Sequence, residues 1–265
     1  MLKIFKNVTI QYIDIVLQGP ATEYTIEIAT YYSELPFVNR IIVSCWETCS
    51  FEYTLNPKII VVRNKPITEG GFSNINRQIC TSYNGIKHVT AKFCIKMRSD
   101  QKYSHDGLTQ MHTFYIKNDK KLISFQDNPS KPLNRICVSG IFPNLLFHPA
   151  DHVYFGNKLD LLDLFNIPYS NPGEYPLDIN RNIRAETYIG SYYCSNFLPV
   201  IKKFIENPND YLVDNAPLIE EARKTSRITS LVFLPFPRIP FDWPRHYDNP
   251  EGHNESSIKD GNTWS

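Results

Sequence analysis

Residues 74–100 read NINRQICTSYNGIKHVTAKFCIKMRSD. In the first half of this stretch, apolar residues recur every three or four positions, which predicts an amphipathic helix. From Phe93 onward, apolar residues alternate with others and predict a buried strand, which ends in Arg98, Ser99 and Asp100. Because ligands of open α/β sheets bind at the carboxyl ends of the strands, these three side chains are predicted to lie on the floor of a cleft.

The polar residues at the end of this strand favour a particular ligand chemistry. A carboxylate such as Asp100 binds a hard cation through oxygen, and a guanidinium such as Arg98 binds a phosphate through parallel hydrogen bonds. Arg77, on the predicted helix, supplies a second positive charge. Together these groups suit a metal-bound diphosphate. The alternative is a salt bridge at the surface, because loops that follow strands usually carry polar residues.

The chain before this stretch alternates between strand and helix patterns. Strands are predicted at residues 13–17, 40–45 and 59–62, and a helix at 23–33, which together indicate an α/β fold. We expect the first of these strands to be central in the sheet. The sequence contains neither GxGxxG nor GxxxxGKS/T, which disfavours dinucleotide oxidoreductases and P-loop enzymes. The pattern therefore predicts a Rossmann-like nucleotide-binding N-terminal half.

The second half of the chain differs from the first in its composition. Pro, Asn and Tyr are frequent between 126 and 180, which predicts many loops and short elements. A helix within 155–165 is expected to bury Leu159, Leu162 and Phe165, and a further helix is expected at 181–193. We predict one domain over residues 1–234, with halves at 10–100 and 101–234, followed by a Pro-rich tail at 235–265.

The composition is that of an ordinary globular protein. Of its 265 residues, 42% are hydrophobic and 21% are charged. The net charge of +1 provides no basic field that would recruit nucleic acid or anionic lipid. The longest apolar runs are too short to span a membrane, and polar and charged residues interrupt positions 1–19, unlike in a secretory signal. Six cysteines without paired CxxC spacing predict reduced thiols in a cytoplasmic protein.

Two blocks of the sequence are specific, NINRQI at 74–79 and KMRSD at 96–100. Four further blocks accompany them: IVLQGP at 15–20, IVSCWE at 42–47, FHPADHVYFG at 147–156 and AETYI at 185–189. In these blocks the chain resembles the WavE lipopolysaccharide-synthesis family, whose members are regarded as glycosyltransferases. The resemblance spans residues 10–190.

The resemblance implies a GT-A-like enzyme for glycan or lipopolysaccharide-type synthesis. Such an enzyme moves a sugar from a nucleotide-diphosphate donor, for example a UDP-sugar, to a hydroxyl of a saccharide acceptor. Residues 10–100 would bind the donor and residues 101–234 the acceptor. A divalent cation, Mn or Mg, is expected on Asp100. The usual acidic-x-acidic metal motif is here Arg98-Ser99-Asp100, which has only one carboxylate.

The donor nucleotide is expected to contact the strand ends and the start of the helix. The residues assigned to it are Gln18, Gly19, Pro20, Trp46, Asn76, Arg77, Arg98 and Ser99. Gln18 is expected to hydrogen-bond a pyrimidine edge, and Trp46 to stack on a base or a sugar ring. Two alternatives remain open: residues 18–20 as a plain turn between strand and helix, and Trp46 as a core residue.

Two carboxylates in the second half are candidate general bases. Deprotonating an acceptor hydroxyl requires a carboxylate within hydrogen-bond reach. Asp151 follows an apolar-to-polar break typical of a strand end, so it is the preferred base. Glu186, in a helical pattern, is the second candidate. The alternatives are a turn or cap residue for Asp151 and a solvated helix face for Glu186.

Two other classes of protein also remain open. A nucleotidyltransferase acting on sugar phosphates needs a metal, a diphosphate site and an α/β half, but it usually has several carboxylates, and only Asp100 is evident here. The other class is a non-catalytic sugar-binding or scaffold protein of the same fold. Frequent Asn, Ile, Lys and Tyr indicate an AT-rich genome, either bacterial or that of a large virus acting in its host's cytoplasm.

Overall fold

The protein folds around one mixed β-sheet with helices on both faces. The computed structural model describes residues 11–50, 56–118, 123–125, 128–133, 135–142, 145–171, 185–207 and 216–243. Predictions that fall on residues 181–184 of a helix and 244–265 of the tail lie outside the described residues.

The strands and helices have the following bounds. The strands are β1 Ile13–Gln18, β2 Val38–Trp46, β3 Ile59–Asn64, β4 Phe93–Arg98, β5 Lys102–Tyr103, β6 Ile123–Phe125, β7 Asn128–Leu133, β8 Ile136–Val138, β9 Val153–Asn157, β10 Phe233–Pro235 and β11 Phe241–Asp242. The helices are α1 Glu23–Ser33, α2 Ile75–Lys87, α3 His105–Asn118, α4 Lys158–Phe165, α5 Ala185–Ser195, α6 Ile201–Glu206, α7 Ala216–Ser226 and α8 Ile228–Val232. A short 3-10 turn, Phe72–Asn74, precedes α2.

The main sheet has seven strands in the order β10-β8-β9-β4-β1-β2-β3. Strands β3, β2, β1 and β4 are mutually parallel, and β9 runs antiparallel between β4 and β8. β1 lies between β2 and β4 and is almost entirely buried, which agrees with its predicted central place. The four parallel strands therefore end at the same edge of the sheet, which we call the carboxyl edge.

The α/β class predicted from the sequence is confirmed. Helix α1 matches the predicted helix at 23–33, and α2 and β4 divide the 74–100 stretch as its apolar spacing predicts. Ile75, Ile79 and Ile86 are buried on α2, which packs on β1 and β2. The order β1-α1-β2-β3-α2-β4 forms the Rossmann-like N-terminal half.

The two faces of the main sheet bury separate apolar cores. Consecutive residues of a strand point to opposite faces, so Val16 joins the core beneath α2, α4 and α5, whereas Leu17 joins the core beneath α1 and α3. Tyr154 and Phe155 on β9 divide in the same way. The sheet is therefore covered on both faces, and ligands reach it at its edges.

Helix α4 corrects one expectation from the sequence. Leu159 was expected to be buried, but it is 68% exposed, whereas Leu161, Leu164 and Phe165 are buried. The helix begins directly after β9, and the side chain of Asn157 caps it by accepting a hydrogen bond from the N–H of Leu159 at 3.0 Å. This start sets the rotation of the helix so that position 159 faces away from the core.

Residues 236–243 form a strap that lies along the body of the protein. After β10, Phe236 and Ile239 are buried in the core, and β11 then pairs antiparallel with β5. A Cβ atom at Gly107 would come within 2.8 Å of Ile239, so a larger residue there would push the strap away. The described part of the predicted tail is thus extended and packed.

The structure also bears on the cysteines and on membrane-spanning segments. The six cysteines are free thiols, as their spacing predicts. Within the described ranges, no helix combines the length and the apolar character needed to cross a membrane.

Candidate active site

The chemistry-bearing residues meet at the carboxyl edge of the sheet. The parallel strands end there at Gln18, Trp46, Asn64 and Arg98. Because β9 begins opposite Met97 near the end of β4, the residues just before β9 also lie at this edge. Together with the start of α5, these strand ends form the candidate active site.

Ser99 fastens the loop that follows β1 to the end of β4. Its N–H donates to the carbonyl of Gln18 at 3.0 Å, and its hydroxyl donates to the carbonyl of Pro20 at 2.6 Å. Gly19 has φ of +129°, and a Cβ there would lie 3.0 Å from the Ser99 hydroxyl oxygen. These contacts hold the 18–20 loop close to the strand end, with the Ser99 side chain buried beneath it.

Asn76 acts as a clamp between two loops. It is buried, and its amide nitrogen donates to the carbonyls of Glu69 at 3.1 Å and Ser170 at 2.8 Å. Its amide oxygen accepts from the N–H of Ser170 at 2.7 Å. Both N–H donors of the amide are therefore used by the protein backbone, and a nucleotide contact through them would require one of these bonds to break.

The other residues assigned to the nucleotide are placed differently. Arg77 is exposed near the start of α2 and donates to the side chain of Asn74 at 3.1 Å. Trp46 is half-buried at the end of β2. Gln18 is half-buried at the end of β1. All three lie at or near the carboxyl edge.

Arg98 joins the two aspartates of this edge. Its Nε and Nη2 donate to the carboxylate oxygens of Asp100 at 3.0 and 2.9 Å, and its Nη1 donates to Oδ2 of Asp151 at 3.3 Å. The fold thus brings Asp151 to the end of β4 from 53 positions away in the chain. The guanidinium charge is therefore balanced by two carboxylates.

Lys96 is the second cation, and it is fully buried below Arg98 on β4. Its Nζ donates to the backbone carbonyl of Asp151 at 3.3 Å and lies 5.2 and 5.6 Å from the ring centroids of Tyr154 and Phe165. Burial lowers the pKa of Lys96 to about 8, although the Asp151 charge opposes this shift. Lys96 therefore supplies positive potential beneath the site without being exposed to a ligand.

Burial alone would raise the pKa of Asp151, but its cationic neighbours reverse the effect. The charges of Lys96, His152 and Arg98 outweigh desolvation and hold the pKa of Asp151 below its ordinary value. Asp151 is therefore ionised over the whole neutral range and serves as a counter-ion.

Glu186 has the opposite electrostatic environment. Burial, and secondly the negative charge of Asp151, raise the pKa of Glu186 to about 7. Its side chain is 19% exposed, and its Oε2 lies 3.8 Å from Nδ1 of His148. Titration near neutrality at an accessible position is the property expected of a general base.

Close packing of α5 sets the position of Glu186. A Cβ at Gly190 would overlap the carbonyl oxygen of Phe147, so only glycine lets the helix approach this loop. Phe147 itself has φ of +48°, a conformation that ordinary residues adopt rarely. This contact brings the start of α5 against His148, which precedes Asp151 in the same loop.

The strap covers one side of the arginine. The indole N–H of Trp243 donates to Oδ2 of Asp100 at 3.2 Å, and Arg98 lies 5.0 Å from the indole ring centroid. The ring of His152 packs edge-on to the same indole, with 5.4 Å between the ring centroids. The Nδ1 atom of His152 lies 2.7 Å from Nε2 of Gln101. The C-terminal part of the described chain thus forms one wall of the site.

A family model matches the part of the chain that contains most of these strands and side chains. The model described as WavE lipopolysaccharide synthesis matches residues 13–223, which is most of the chain. The chain belongs to the WavE family. The match ends before the strap, so the wall that Trp243 provides lies outside the matched region of this WavE protein.

The WavE chain is also similar to solved structures, at low identity. TarS from S. aureus matches with 12% identity and a TM-score of 0.38, over 69% of this chain and 33% of TarS. HddC from Yersinia pseudotuberculosis matches with 14% identity and a TM-score of 0.35, over 71% of this chain and 85% of HddC. A second structure, S. aureus TarS 1-349, matches with 14% identity and a TM-score of 0.36, over 69% of this chain and 55% of that one.

The chain spans about a third of the length of the TarS structure that it matches. No curated protein matches it. At these scores, the structural likeness carries no conclusion about activity.

Sequence reasoning missed three side chains of the WavE site. Lys96 had an available signal, because residues two apart on a strand share a face and Arg98 was already assigned to the site. Gln101 and Trp243 had none, since Trp243 comes from a Pro-rich segment and meets Asp100 across 143 positions. Such contacts depend on where the strap docks.

The predicted cation site was compared with the side chains at Asp100. Both carboxylate oxygens already accept hydrogen bonds from Arg98, and Trp243 adds a third. Among the residues that the structure describes, no three His, Cys, Asp or Glu side chains group closely enough to hold a metal ion. As arranged, these residues do not fit a divalent-metal site. Dependence on Mn or Mg stays a prediction.

Proposed function

We propose that this WavE-family protein is a GT-A-like glycosyltransferase. It would transfer a sugar from a nucleotide-diphosphate donor to a saccharide hydroxyl in glycan or lipopolysaccharide-type synthesis. The observation that carries the proposal is the cluster of Lys96, Arg98, Asp151 and Glu186 at the carboxyl edge of the parallel strands. This is where α/β folds bind their ligands, and family membership in lipopolysaccharide synthesis supports a glycan product.

The donor is proposed to lie across the ends of β1, β2 and β4. The 18–20 loop and Trp46 would face the nucleoside, and Arg98 and Arg77 the diphosphate. A guanidinium has more N–H donors than the three that Arg98 uses on Asp100 and Asp151, so it can bind phosphate without releasing either carboxylate. Ser99 and Asn76 would act indirectly, by holding the loops that line the donor.

The reaction is proposed to use charges already fixed in the site. As the donor's bond to the sugar breaks, negative charge develops on the leaving diphosphate. Arg98 and the buried Lys96 would stabilise that charge, because oriented cations in a partly buried site need no reorganisation during the reaction. Asp151 and Glu186 are the candidate bases for the acceptor hydroxyl. A cytoplasmic location is part of this proposal.

Incubation of the protein with a panel of nucleotide sugars and saccharide acceptors tests the proposed function. Release of nucleoside diphosphate together with a new glycosidic product is the expected result. Release of pyrophosphate from a nucleoside triphosphate and a sugar phosphate would instead identify a nucleotidyltransferase. Sugar binding without turnover of any donor would identify a non-catalytic binding or scaffold protein. The Arg98→Ala variant is the control for contaminating activity.

A further inference from the structure

We infer that Glu186 accepts the proton of the acceptor hydroxyl, and that Asp151 is a positioning residue that holds Arg98 and Lys96 in place. This inference rests on the proposed function and reverses the order of the two bases expected from the sequence. It follows from which side chains each carboxylate contacts.

Asp151 accepts hydrogen bonds from two cations. Its Oδ2 accepts from Arg98 at 3.3 Å, and its own backbone carbonyl accepts from Lys96 at 3.3 Å. A proton taken up by Asp151 would neutralise the charge that balances both cations, one of them fully buried. Protonation is therefore disfavoured at the moment when a general base must accept a proton.

Glu186 has no cation at hydrogen-bond distance among its described contacts. Among the described residues it forms an ion-pair contact with His148, at 3.8 Å, which is too long for a hydrogen bond. The groups that act on it are Asp151, Lys96, Arg98 and His148, and it also influences the Tyr154 hydroxyl. Desolvation and the neighbouring anion favour the protonated form, so the carboxylate gains stability by accepting a proton.

The proton transfer balances with groups that are present. The acceptor hydroxyl gives its proton to a carboxylate oxygen of Glu186, and the acceptor oxygen forms a bond to the anomeric carbon. The bond between that carbon and the diphosphate oxygen breaks, and its electron pair leaves on the nucleoside diphosphate. Because the Glu186 side chain is 19% exposed, its proton can pass to solvent after the product departs. This sequence inverts the anomeric carbon.

The test compares Glu186→Gln with Asp151→Asn, and uses Glu221→Gln on the exposed helix α7 as a matched control. We expect Glu186→Gln to lower the transfer rate about 10²–10⁴-fold, with nucleoside diphosphate affinity changed less than about threefold by calorimetry. We expect Asp151→Asn to weaken nucleoside diphosphate binding as well, because Arg98 loses one of its two carboxylate partners. Glu221→Gln should behave like the natural protein in both measurements.

The pH dependence of the natural protein gives a readout that needs no variant. The transfer rate in saturating donor should rise with pH through a midpoint of about 7 as Glu186 loses its proton. In Glu186→Gln this rise should be absent from the residual activity. If Glu186 had a merely structural role, the transfer rate of Glu186→Gln would rise with pH through the same midpoint as that of the natural protein.

The outcomes separate this inference from the proposed function. If the natural protein transfers sugar and Glu186→Gln does so at a similar rate, the base assignment is overturned and the proposed function stands. The assignment is also overturned if Glu186→Gln loses nucleoside diphosphate binding as strongly as transfer. If no donor is turned over by the natural protein, the proposed function and this inference both fail.

Discussion

At Glu186, the buried carboxylate links the chemistry of the site to the stability of the protein. The pKa of this group is about 7 in the fold, against an ordinary value of 4.5 for a glutamate side chain. The unfolded chain therefore releases the proton more easily than the folded chain does. The contribution of Glu186 to the free energy of unfolding is highest below the unfolded pKa and falls as pH rises from that value through 7.

Replacement of Glu186 by Gln should therefore stabilise the protein above neutral pH. Gln cannot ionise, so the cost of a buried negative charge disappears, which is worth up to about 3 kcal/mol. Urea unfolding at about pH 5 and about pH 8 would measure the effect. We expect Glu186→Gln to have the larger free energy of unfolding at about pH 8 and little or no advantage at about pH 5. If Glu186→Gln is no more stable than the natural protein at the higher pH, Glu186 is not a group with a raised pKa.

Asp100 presents a different question, because its carboxylate binds Arg98 and was predicted to bind a cation. We expect Asp100→Asn to lower transfer about 10²–10³-fold while the fold survives, since the charge that orients Arg98 is lost. If Asp100 also holds Mn, the cation will strengthen nucleoside diphosphate binding to the natural protein but not to Asp100→Asn. Near-normal turnover of Asp100→Asn in saturating donor would remove this residue from the site.

The two arginines should act on phosphate rather than on the nucleoside. Arg98→Ala and Arg77→Ala are each expected to weaken nucleoside diphosphate binding by about 1.5–3 kcal/mol, the range for hydrogen bonds to charged groups. Nucleoside binding should change much less. Calorimetry with both ligands measures the difference, and Arg223→Ala on α7 is the control. Equal losses for both ligands would assign these arginines to structure.

At the scale of the elements, the site depends on how closely α5 approaches the loop before β9. Gly190 allows the helix backbone to touch the carbonyl of Phe147, and this contact places Glu186 beside His148. The strand β4 contributes the two cations of the candidate site, because Lys96 and Arg98 lie on the same face of the strand. The site is therefore assembled by one strand, one loop and one helix start.

Gly190→Ala should disturb this assembly. The added methyl group would overlap backbone, which cannot move aside as a flexible side chain can, so we expect a loss of about 1–3 kcal/mol in stability. Transfer should fall more than nucleoside diphosphate binding, since α5 carries Glu186, the proposed base, and none of the proposed donor contacts. Gly140→Ala is the matched control, because its Cβ would lie 3.9 Å from Ala150 and meets ordinary contact distances. Equal tolerance of both changes would contradict the proposed packing.

At the scale of the whole molecule, the strap connects the far end of the described chain to the first half. β10 joins the edge of the main sheet, Phe236 and Ile239 enter the core beneath α3, and Trp243 reaches Arg98. The site is thus completed by residues that lie after the region shared with the WavE family.

Trp243 should report donor binding by its fluorescence. Its indole lies 5.0 Å from the Arg98 guanidinium, so a diphosphate at that arginine would change the environment of the ring. In a protein with Trp46→Phe and Trp264→Phe, we expect the intensity to change on addition of nucleoside diphosphate, with the affinity that calorimetry measures for the same double variant. Binding detected by calorimetry with unchanged fluorescence would place the diphosphate away from Arg98.

Much of the fold was predictable from the sequence because its signals are local. Apolar runs identified the parallel strands, and the spacing of Ile75, Ile79 and Ile86 identified α2. The polar cluster at 98–100 marked the carboxyl edge, because a buried strand must end where polar side chains reach solvent. Leu159 shows the limit of this reasoning, since the start of α4 determines which face of the helix is buried.

The sequence by itself determined the α/β class, the central strand, the end of β4 at Arg98 and the resemblance to the WavE family. Only the tertiary structure decided which charges are partners. It joined Arg98 to both Asp100 and Asp151 and buried Lys96 beneath them, and among the described residues it gave Glu186 no cation at hydrogen-bond distance. The physical reason is that burial and Coulomb interactions depend on distances between residues far apart in the chain, whereas periodicity reports only on neighbours.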